Sequence, residues 1–414
     1  MKIKPYLEYK DSGVKWIGKI PKKWDLKRLK HFTFNLDGKR IPISAENRVL
    51  GNIPYYGATG IVDYVDDYIF DEELLMVGED GAPFFEFYKD VAFVVRGKCW
   101  VNNHAHILKV SKNFDINLLM HLLNQADYSL YIKGSTRDKL NQDQLKEIPI
   151  IEPSYAEQTS IVTFLNKKVS VIDKTIGNDT KLIELLKEKR TALINHVMTK
   201  GLDQEANMKD SGVKWIGEIP EGWRVDKLKY TSTISNDTLN KKPINLPYIG
   251  LEHIKSFTGV LLENDLEEVD SSVNLYKKGD ILFGKLRPYL AKVIVAPFDG
   301  VCTTELIVFK VNNDNYNHFI FQQLLSQRFI DIVNSMTYGV KMPRANPYQI
   351  ENMMITVPPI IEQKQIADYL ENENSKIDET IQKIENKIKL MEEYKKSLIH
   401  HVVTGKFDVR EVAV

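Results

Sequence analysis

The sequence predicts an α+β protein of two pseudo-symmetric halves, each a globular module followed by a long helix, the two helices pairing as an antiparallel coiled coil. Three observations carry this. First, the run Lys10-Asp11-Ser12-Gly13-Val14-Lys15-Trp16-Ile17-Gly18 recurs unchanged from Lys209 to Gly217, and each copy leads through Ile-Pro to a second tryptophan, Trp24 or Trp223. Second, Glu157-Gln158, Ile161, Leu165, Ile172-Asp173, Leu193-Ile194, His196 and Val197 return as Glu362-Gln363, Ile366, Leu370, Ile377-Asp378, Leu398-Ile399, His401 and Val402. Third, both echoes sit on apolar heptads. A unit of leader, variable region and long helix is therefore used twice.

Composition bounds what such a chain can be. Its 414 residues suffice for two substantial cores. The formal net charge is zero, which excludes a disordered polycation but not a nucleic-acid binder, since phosphate contacts need a basic face and not a basic total. Cys99 and Cys302 stand one per half without CxxC spacing. A disulfide framework or zinc site is not expected, and a reducing cytoplasm is. No apolar run approaches the roughly 20 residues that span a bilayer, and no signal peptide is apparent, so a soluble protein without a membrane partner is expected.

The first variable region, about residues 30–143, is a series of short β-branched or aromatic runs broken by Gly, Asn and Asp. They include Ile53-Pro54-Tyr55-Tyr56-Gly57, Gly60 to Tyr64, Leu74 to Gly81, Val91 to Val95, Trp100 to His104 and Ile107 to Val110. Such runs predict many short strands with turns. An amphipathic helix is predicted over Ile116 to Lys133. The second region, about 229–346, repeats that order with other letters. Leu246-Pro247-Tyr248-Ile249 answers Ile53-Pro54-Tyr55, the run Gly279 to Tyr289 answers Leu74 to Gly81, and Thr303-Thr304-Glu305 stands where Asn102-Asn103-His104 stood. An equal scaffold with unequal loops suits two modules that bind different targets in the same way.

The heptads place Ile161, Leu165, Ile172, Ile176, Ile183, Leu186, Leu193 and Val197 on one seam. They place Ile366, Leu370, Ile377, Ile381, Ile384, Ile388, Met391, Leu398 and Val402 on the other. Polar residues interrupt the seams at Lys168, Asp179, Arg190, Glu373 and Lys395. Helices of roughly 40 residues, about 60 Å long, are predicted, opening after Pro153 and Pro358 and closing near Gly201 and Gly405. The domain boundaries expected are 1–152, 153–203, 204–357 and 358–414. A bare rod with an apolar stripe must bury it, and the obvious partner is its own repeat.

Through its Ser-Gly-Val-Lys-Trp-Ile-Gly leaders, its Pro-x-x-x-x-Glu-Gln helix starts at Pro153 and Pro358, and the Gly134 and Gly339 turns before them, the chain resembles the specificity subunits of type I restriction-modification systems. The resemblance covers essentially the whole length. It implies two tandem target-recognition domains, each contacting one half of a split, asymmetric site on double-stranded DNA, and an antiparallel helical spacer. It also implies methylase (modification) subunits, two of them, and restriction (helicase-nuclease) subunits as partners. It implies further that S-adenosylmethionine, ATP and Mg act in those partners, with no cofactor expected in this chain.

Candidate DNA-binding residues follow from the loops. In the first half these are Tyr56, Asp80, Asn102, Asn103, His104, Arg137 and Lys139. In the second they are Lys285, Arg287, Tyr289, Thr303, Thr304, Lys341 and Arg344. Arg287 or Lys285 suits paired hydrogen bonds to a guanine edge, and Asn102, Asn103 or His104 suits an adenine or a bridge to phosphate. Competing readings stand beside these: Asp80 and Asn103 as turn formers, His104 as a core histidine, Tyr56 as core, and the cations around Gly134 and Gly339 as a solvated loop.

Catalytic signals are missing. No Gly-x-x-x-x-Gly-Lys-Ser/Thr loop is present, Asn346-Pro347-Tyr348 lacks the second proline of an adenine-methylase motif, and no paired histidines or carboxylate-lysine cluster marks a metal site. The chain is not expected to be an enzyme. Three alternatives remain open: a specificity subunit whose partner fuses methylase and nuclease, a coiled-coil adaptor that does not touch DNA, and a nuclease or methylase with an unrecognised active site, for which the carboxylates Asp66, Asp67, Asp71, Glu72 and Glu73 read as a solvated strand edge.

Overall fold

Helices Tyr155–Lys200, of 46 residues, and Ile360–Val403, of 44 residues, occupy the two heptad segments in a computed structural model that describes residues 4–86, 89–132, 138–241, 243, 245–262 and 271–412. At 1.5 Å per residue each helix is about 65 to 70 Å long. The first opens on a capping box: the Ser154 hydroxyl accepts from the Glu157 amide (3.4 Å), and the Ser154 amide donates to the Glu157 carboxylate (3.3 Å). Both helices stop at glycines in the left-handed region, Gly201 (φ 75°) and Gly405 (φ 70°). At Gly405 a Cβ would lie 2.4 Å from Pro21 Cδ and 2.8 Å from Trp24 Cζ3, so packing as well as φ requires glycine there.

The chain divides into two compact units, Met1–Thr180 with Glu385–Val414, and Lys181–Ile384. Each unit thus holds the first half of one long helix and the second half of the other. In the first unit Asp173 pairs with Lys395 (2.7 Å) and Asp179 with Lys387 (2.8 Å). The partner number falls as the residue number rises, which makes the pairing antiparallel. In the second unit Arg190 pairs with Asp378 (2.5 Å). Ile161, Leu165, Leu398 and Val402 are buried in the first unit, and Val197, Ile366 and Leu370 in the second. Leu186, Ile381, Ile384 and Ile388 are only half-buried, as a two-stranded seam leaves its knobs partly open.

Each unit builds the same β framework. In the first, the leader hairpin pairs Tyr9–Asp11 with Lys19–Pro21, and Asp25–Arg28 pairs antiparallel with Pro149–Glu152, the strand that enters the long helix. One sheet runs in the order Thr33–Asn35, Ala105–Val110, Leu74–Gly78, Ala92–Val95. The other runs Gly60–Val65, Leu50–Gly57, Lys98–Val101, Phe70–Asp71. The second unit repeats the leader hairpin (Met208–Asp210 with Glu218–Pro220), the entry pair (Arg224–Lys227 with Met354–Val357) and the first sheet (Ser232–Ile234, Leu306–Val311, Ile281–Gly284, Val293–Val295). Its other sheet runs Thr238–Leu239, Val273–Tyr276, Gly300–Thr303, Tyr248–Ile249.

In both units a strand from the Pro-Tyr segment pairs in parallel with the strand that carries the buried cysteine: Tyr55 with Trp100, and Tyr248 with Val301. Cys99 and Cys302 are free thiols whose pKa burial pushes up to about 12, small core groups on matching strands, although by the ladder register Cys302 stands where Val101 does. The hairpin strand Gly60–Val65 has no counterpart among the described residues of the second unit.

The repeated Glu-Gln has a plain role. Gln158 is buried, accepts from the Asp115 amide (2.8 Å) and donates to the Pro153 carbonyl (3.1 Å). Gln363 accepts from the Tyr316 amide (2.8 Å) and donates to the Pro358 carbonyl (2.9 Å). Each ties the start of a long helix to the start of the helix in its own globular module. Glu157 accepts from the indole of the fully buried Trp24 (3.2 Å).

One helix expectation needs correction. The segment predicted as helical from Ile116 to Lys133 is helical only over Ile116–Leu123, with a single 3-10 turn at Tyr128–Leu130, and Lys133 lies outside the described residues. Asn124 ends it: its side chain accepts from the Val91 and Ala92 amides (2.9 and 2.7 Å) and donates to the Ala92 carbonyl (2.9 Å). The amide thus continues the sheet edge and not the helix.

Candidate nucleic-acid interface

The strand Leu74–Gly78 delivers Glu79 and Asp80 to a place where three segments meet. The Glu79 amide donates to the His104 carbonyl (2.8 Å), the Leu140 amide donates to the Glu79 carbonyl (2.8 Å), and Asp80 bridges antiparallel to Lys139. Residues far apart in the chain, Asp80, Asn102, Asn103, His104 and Lys139, are thereby gathered at one end of the sheet. Asn102 is buried and accepts from the His104 amide (2.8 Å), so it holds the turn that presents Asn103 and His104. The His104 ring bonds Asp80 through Nδ1. Asn103 is exposed. Tyr56 is half-buried with its ring stacked on Phe93, centroids 5.8 Å apart. Arg137 lies outside the described residues.

Beneath this edge lies a buried polar cluster that sequence reasoning missed. Asp37 accepts from His106 Nδ1 (2.6 Å), the Ile107 amide (2.7 Å), Gln142 (2.9 Å) and Asn35 (3.1 Å). His106 is fully buried, and its Nε2 faces the Leu140 carbonyl (2.8 Å). Glu79 accepts from Arg40 (2.5 Å) and pairs with Lys139 (3.1 Å). Burial opposes both carboxylates' charge, but these donors outweigh it and hold the pKa of each below the ordinary range.

Ligand atoms of Asp37, Glu79 and His106 lie within 4.8 Å of one another. Arg40 and Lys139 already supply the positive charge there, so the group works as an ionic brace and not as a metal cradle. The Gly78 to Gly81 run was a sequence clue to Glu79. Nothing in the sequence linked it to Asp37, Arg40 or His106.

The second unit rebuilds the frame with other side chains. The Lys285 amide donates to the Glu305 carbonyl (3.0 Å), the Ala345 amide donates to the Lys285 carbonyl (2.8 Å), and Leu286 bridges to Arg344. Lys285 thus stands where Glu79 does, Glu305 where His104 does, and Arg344 where Lys139 does. The acid that holds the matching cation has moved: Arg344 is gripped in a two-pronged pair by Glu305 (3.2 Å for each bond). Thr303 accepts from the Glu305 amide (3.3 Å), Thr304 is half-buried beside it, and Tyr289 is exposed on the 3-10 turn Pro288–Leu290.

Arg287 takes the left-handed conformation (φ 50°), unusual for a side-chain-bearing residue, while its amide donates to the Pro343 carbonyl (2.7 Å). Its buried Nε has no hydrogen-bond partner among the described residues. Lys341 is exposed on the turn that Tyr338 and Arg344 close by exchanging backbone bonds (3.1 and 2.9 Å). Among the described residues, Lys285, Arg287 and Lys341 form no salt bridge. A group of uncompensated cations around a braced turn attracts an anion.

Sequence comparison decides the family. The model of the type I restriction modification DNA specificity domain matches residues 21–188 and again 220–390. The chain belongs to this family. Type I specificity subunits among its relatives include that of the EcoDI enzyme of Escherichia coli, 23% identical over 86% of this chain and 82% of that one. The MjaVIII specificity subunit of Methanocaldococcus jannaschii is 23% identical over 98% of both chains. A chain from a solved structure of a type I restriction-modification system, described in terms of complex assembly and conformational transition, shares the fold with a TM-score of 0.67 at 12% identity, covering 93% of this chain and 98% of that one. The two matches of the type I specificity domain fall one on each repeat, with the frames around Glu79 and Lys285 inside them. Among the described residues no helix is long and apolar enough to cross a membrane.

Proposed function

We propose that this chain is the non-catalytic DNA-reading subunit of a type I complex, each unit reading one half of a bipartite, asymmetric site on double-stranded DNA while the paired helices set the spacing. The observation that carries the reading is the duplicated frame: the same backbone bonds join strand end, turn and basic segment at Glu79, His104 and Leu140 and at Lys285, Glu305 and Ala345, with different side chains mounted on them. One scaffold with two sets of letters is what two sequence preferences on one polymer require.

In this reading Asn103, His104 and Lys139 face the first half-site, with Arg137 in the same loop by sequence. Lys285, Arg287, Tyr289, Thr304 and Lys341 face the second. Tyr56, Asp80, Asn102, Thr303 and Arg344 hold these loops in shape. Two methylase subunits and the restriction subunits supply methylation, translocation and cleavage in the cytoplasm, and S-adenosylmethionine, ATP and Mg act there. The test is exchange of residues 30–143 for the same region of a relative, followed by sequencing of methylated adenines. One half of the methylated motif should change and the other stay; a swap that alters both halves overturns separate reading.

A further inference from the structure

The turn that bears Lys341 displays more than charge. Tyr338, Val340 and Met342 are 61%, 99% and 53% exposed, three apolar side chains on five consecutive residues. Single exposed aliphatic residues are ordinary on protein surfaces, but this group is held out by a stiff support. Tyr338 and Arg344 exchange backbone bonds, the Arg287 amide grips the Pro343 carbonyl (2.7 Å), Ala345 is bonded to Lys285 (2.8 Å), and Glu305 clamps the Arg344 guanidinium. Gly339 (φ 88°) makes the bend. A braced tip loses little conformational freedom on binding. In the other half of the sequence, counting back from Lys139, which holds the place of Arg344, Ser135 stands where Val340 does. The apolar tip is therefore a choice of the second unit and not a demand of the scaffold.

Around the tip stand Lys285, Arg287 and Lys341, cations without salt bridges among the described residues, so the matching surface is anionic with an apolar feature between its charges. Duplex DNA offers one such feature at the base edges of its major groove, the 5-methyl group of thymine, flanked by phosphates. We infer that Val340 is a specificity-determining residue of the second half-site and that it reads a thymine methyl group. This rests on the DNA-reading role proposed above.

The experiment uses the full chain assembled with its methylase subunits and labelled duplexes carrying the motif found from methylated adenines, with each thymine of the second half-site replaced in turn by uracil. For the wild type, one replacement should weaken binding about fourfold, the worth of one buried methyl group. Val340→Ser, which leaves the core untouched, should weaken binding to the thymine duplex by a similar factor and be indifferent to that same replacement. Lys341→Ala should weaken every duplex alike and keep the thymine preference. The inference is overturned if no thymine replacement matters to the wild type, or if Val340→Ser retains the preference. Failure of the wild-type complex to prefer its motif over unrelated duplex would instead sink the DNA-reading role itself, a different result.

Discussion

Arg190 donates a 2.5 Å hydrogen bond to Asp378 between the two long helices, and the repeat reproduces the pair as Lys395 with Asp173 at 2.7 Å in the other unit. The partners are unequally placed: the Arg190 side chain is 12% exposed and that of Asp378 is 46% exposed.

That inequality predicts an order of effects. Asp378→Ala strands a largely covered guanidinium and should destabilise by about 2 kcal/mol, whereas Arg190→Ala leaves a carboxylate that water can reach and should cost about 1 kcal/mol. Urea unfolding followed by circular dichroism measures both. Equal losses would mean that the unequal exposure of the two partners does not set the cost of losing either one.

Gln158 and Gln363 perform the same task in separate units, so their deletions should be alike and independent. Gln158→Ala leaves the Asp115 amide without its acceptor, and Gln363→Ala does so for Tyr316. Each should cost about 1 to 3 kcal/mol, with the double variant close to the sum. A marked departure from additivity would show coupling that the bonds do not provide.

His121 predicts a pH dependence. It is buried on Ile116–Leu123 in a cavity also lined by Asp90, Lys395 and Lys396, and burial pushes its pKa down from 6.5 to about 4. The unfolded chain therefore takes up a proton before the folded one. Stability from this group is full above about pH 6.5 and lost as pH falls toward 4, about 2 kcal/mol between pH 7.5 and 5. His121→Leu should flatten that part of the profile. A variant that loses stability as steeply as the wild type would assign the dependence elsewhere.

For the DNA-facing loops, Arg287→Ala should cost about 1 to 3 kcal/mol of binding, confined to the second half-site. Lys341→Ala should weaken all sequences alike and lower the slope of log affinity on log salt by about one. Titrating labelled duplex at several salt concentrations separates the two. Unchanged discrimination by Arg287→Ala would return that loop to scaffold.

What the sequence made legible was whatever is periodic or repeated. The heptads located both long helices, and the two glycines marked their ends. Aligning the halves placed Thr303 to Glu305 opposite Asn102 to His104, as the strands do. Side-chain partnerships across long loops were not legible. Asp37 and His106, or Glu305 and Arg344, come together only because strand order makes them neighbours, and neither composition nor spacing marks such pairs. The helix end at Asn124 escaped for the same reason: its partners, Val91 and Ala92, lie on a strand that periodicity does not connect to it.

The composition of the two units bears on how the protein is made. The second unit is a continuous run, Lys181–Ile384, and can close without any residue made after Ile384. The first cannot, because Leu398, Ile399, Val402, Val403 and Val409 belong to the core that surrounds Trp24. These residues are synthesised only after the whole of the second unit, so the module begun first is finished last. Until then its apolar surface stays uncovered, and transiently exposed apolar surface is prone to aggregate.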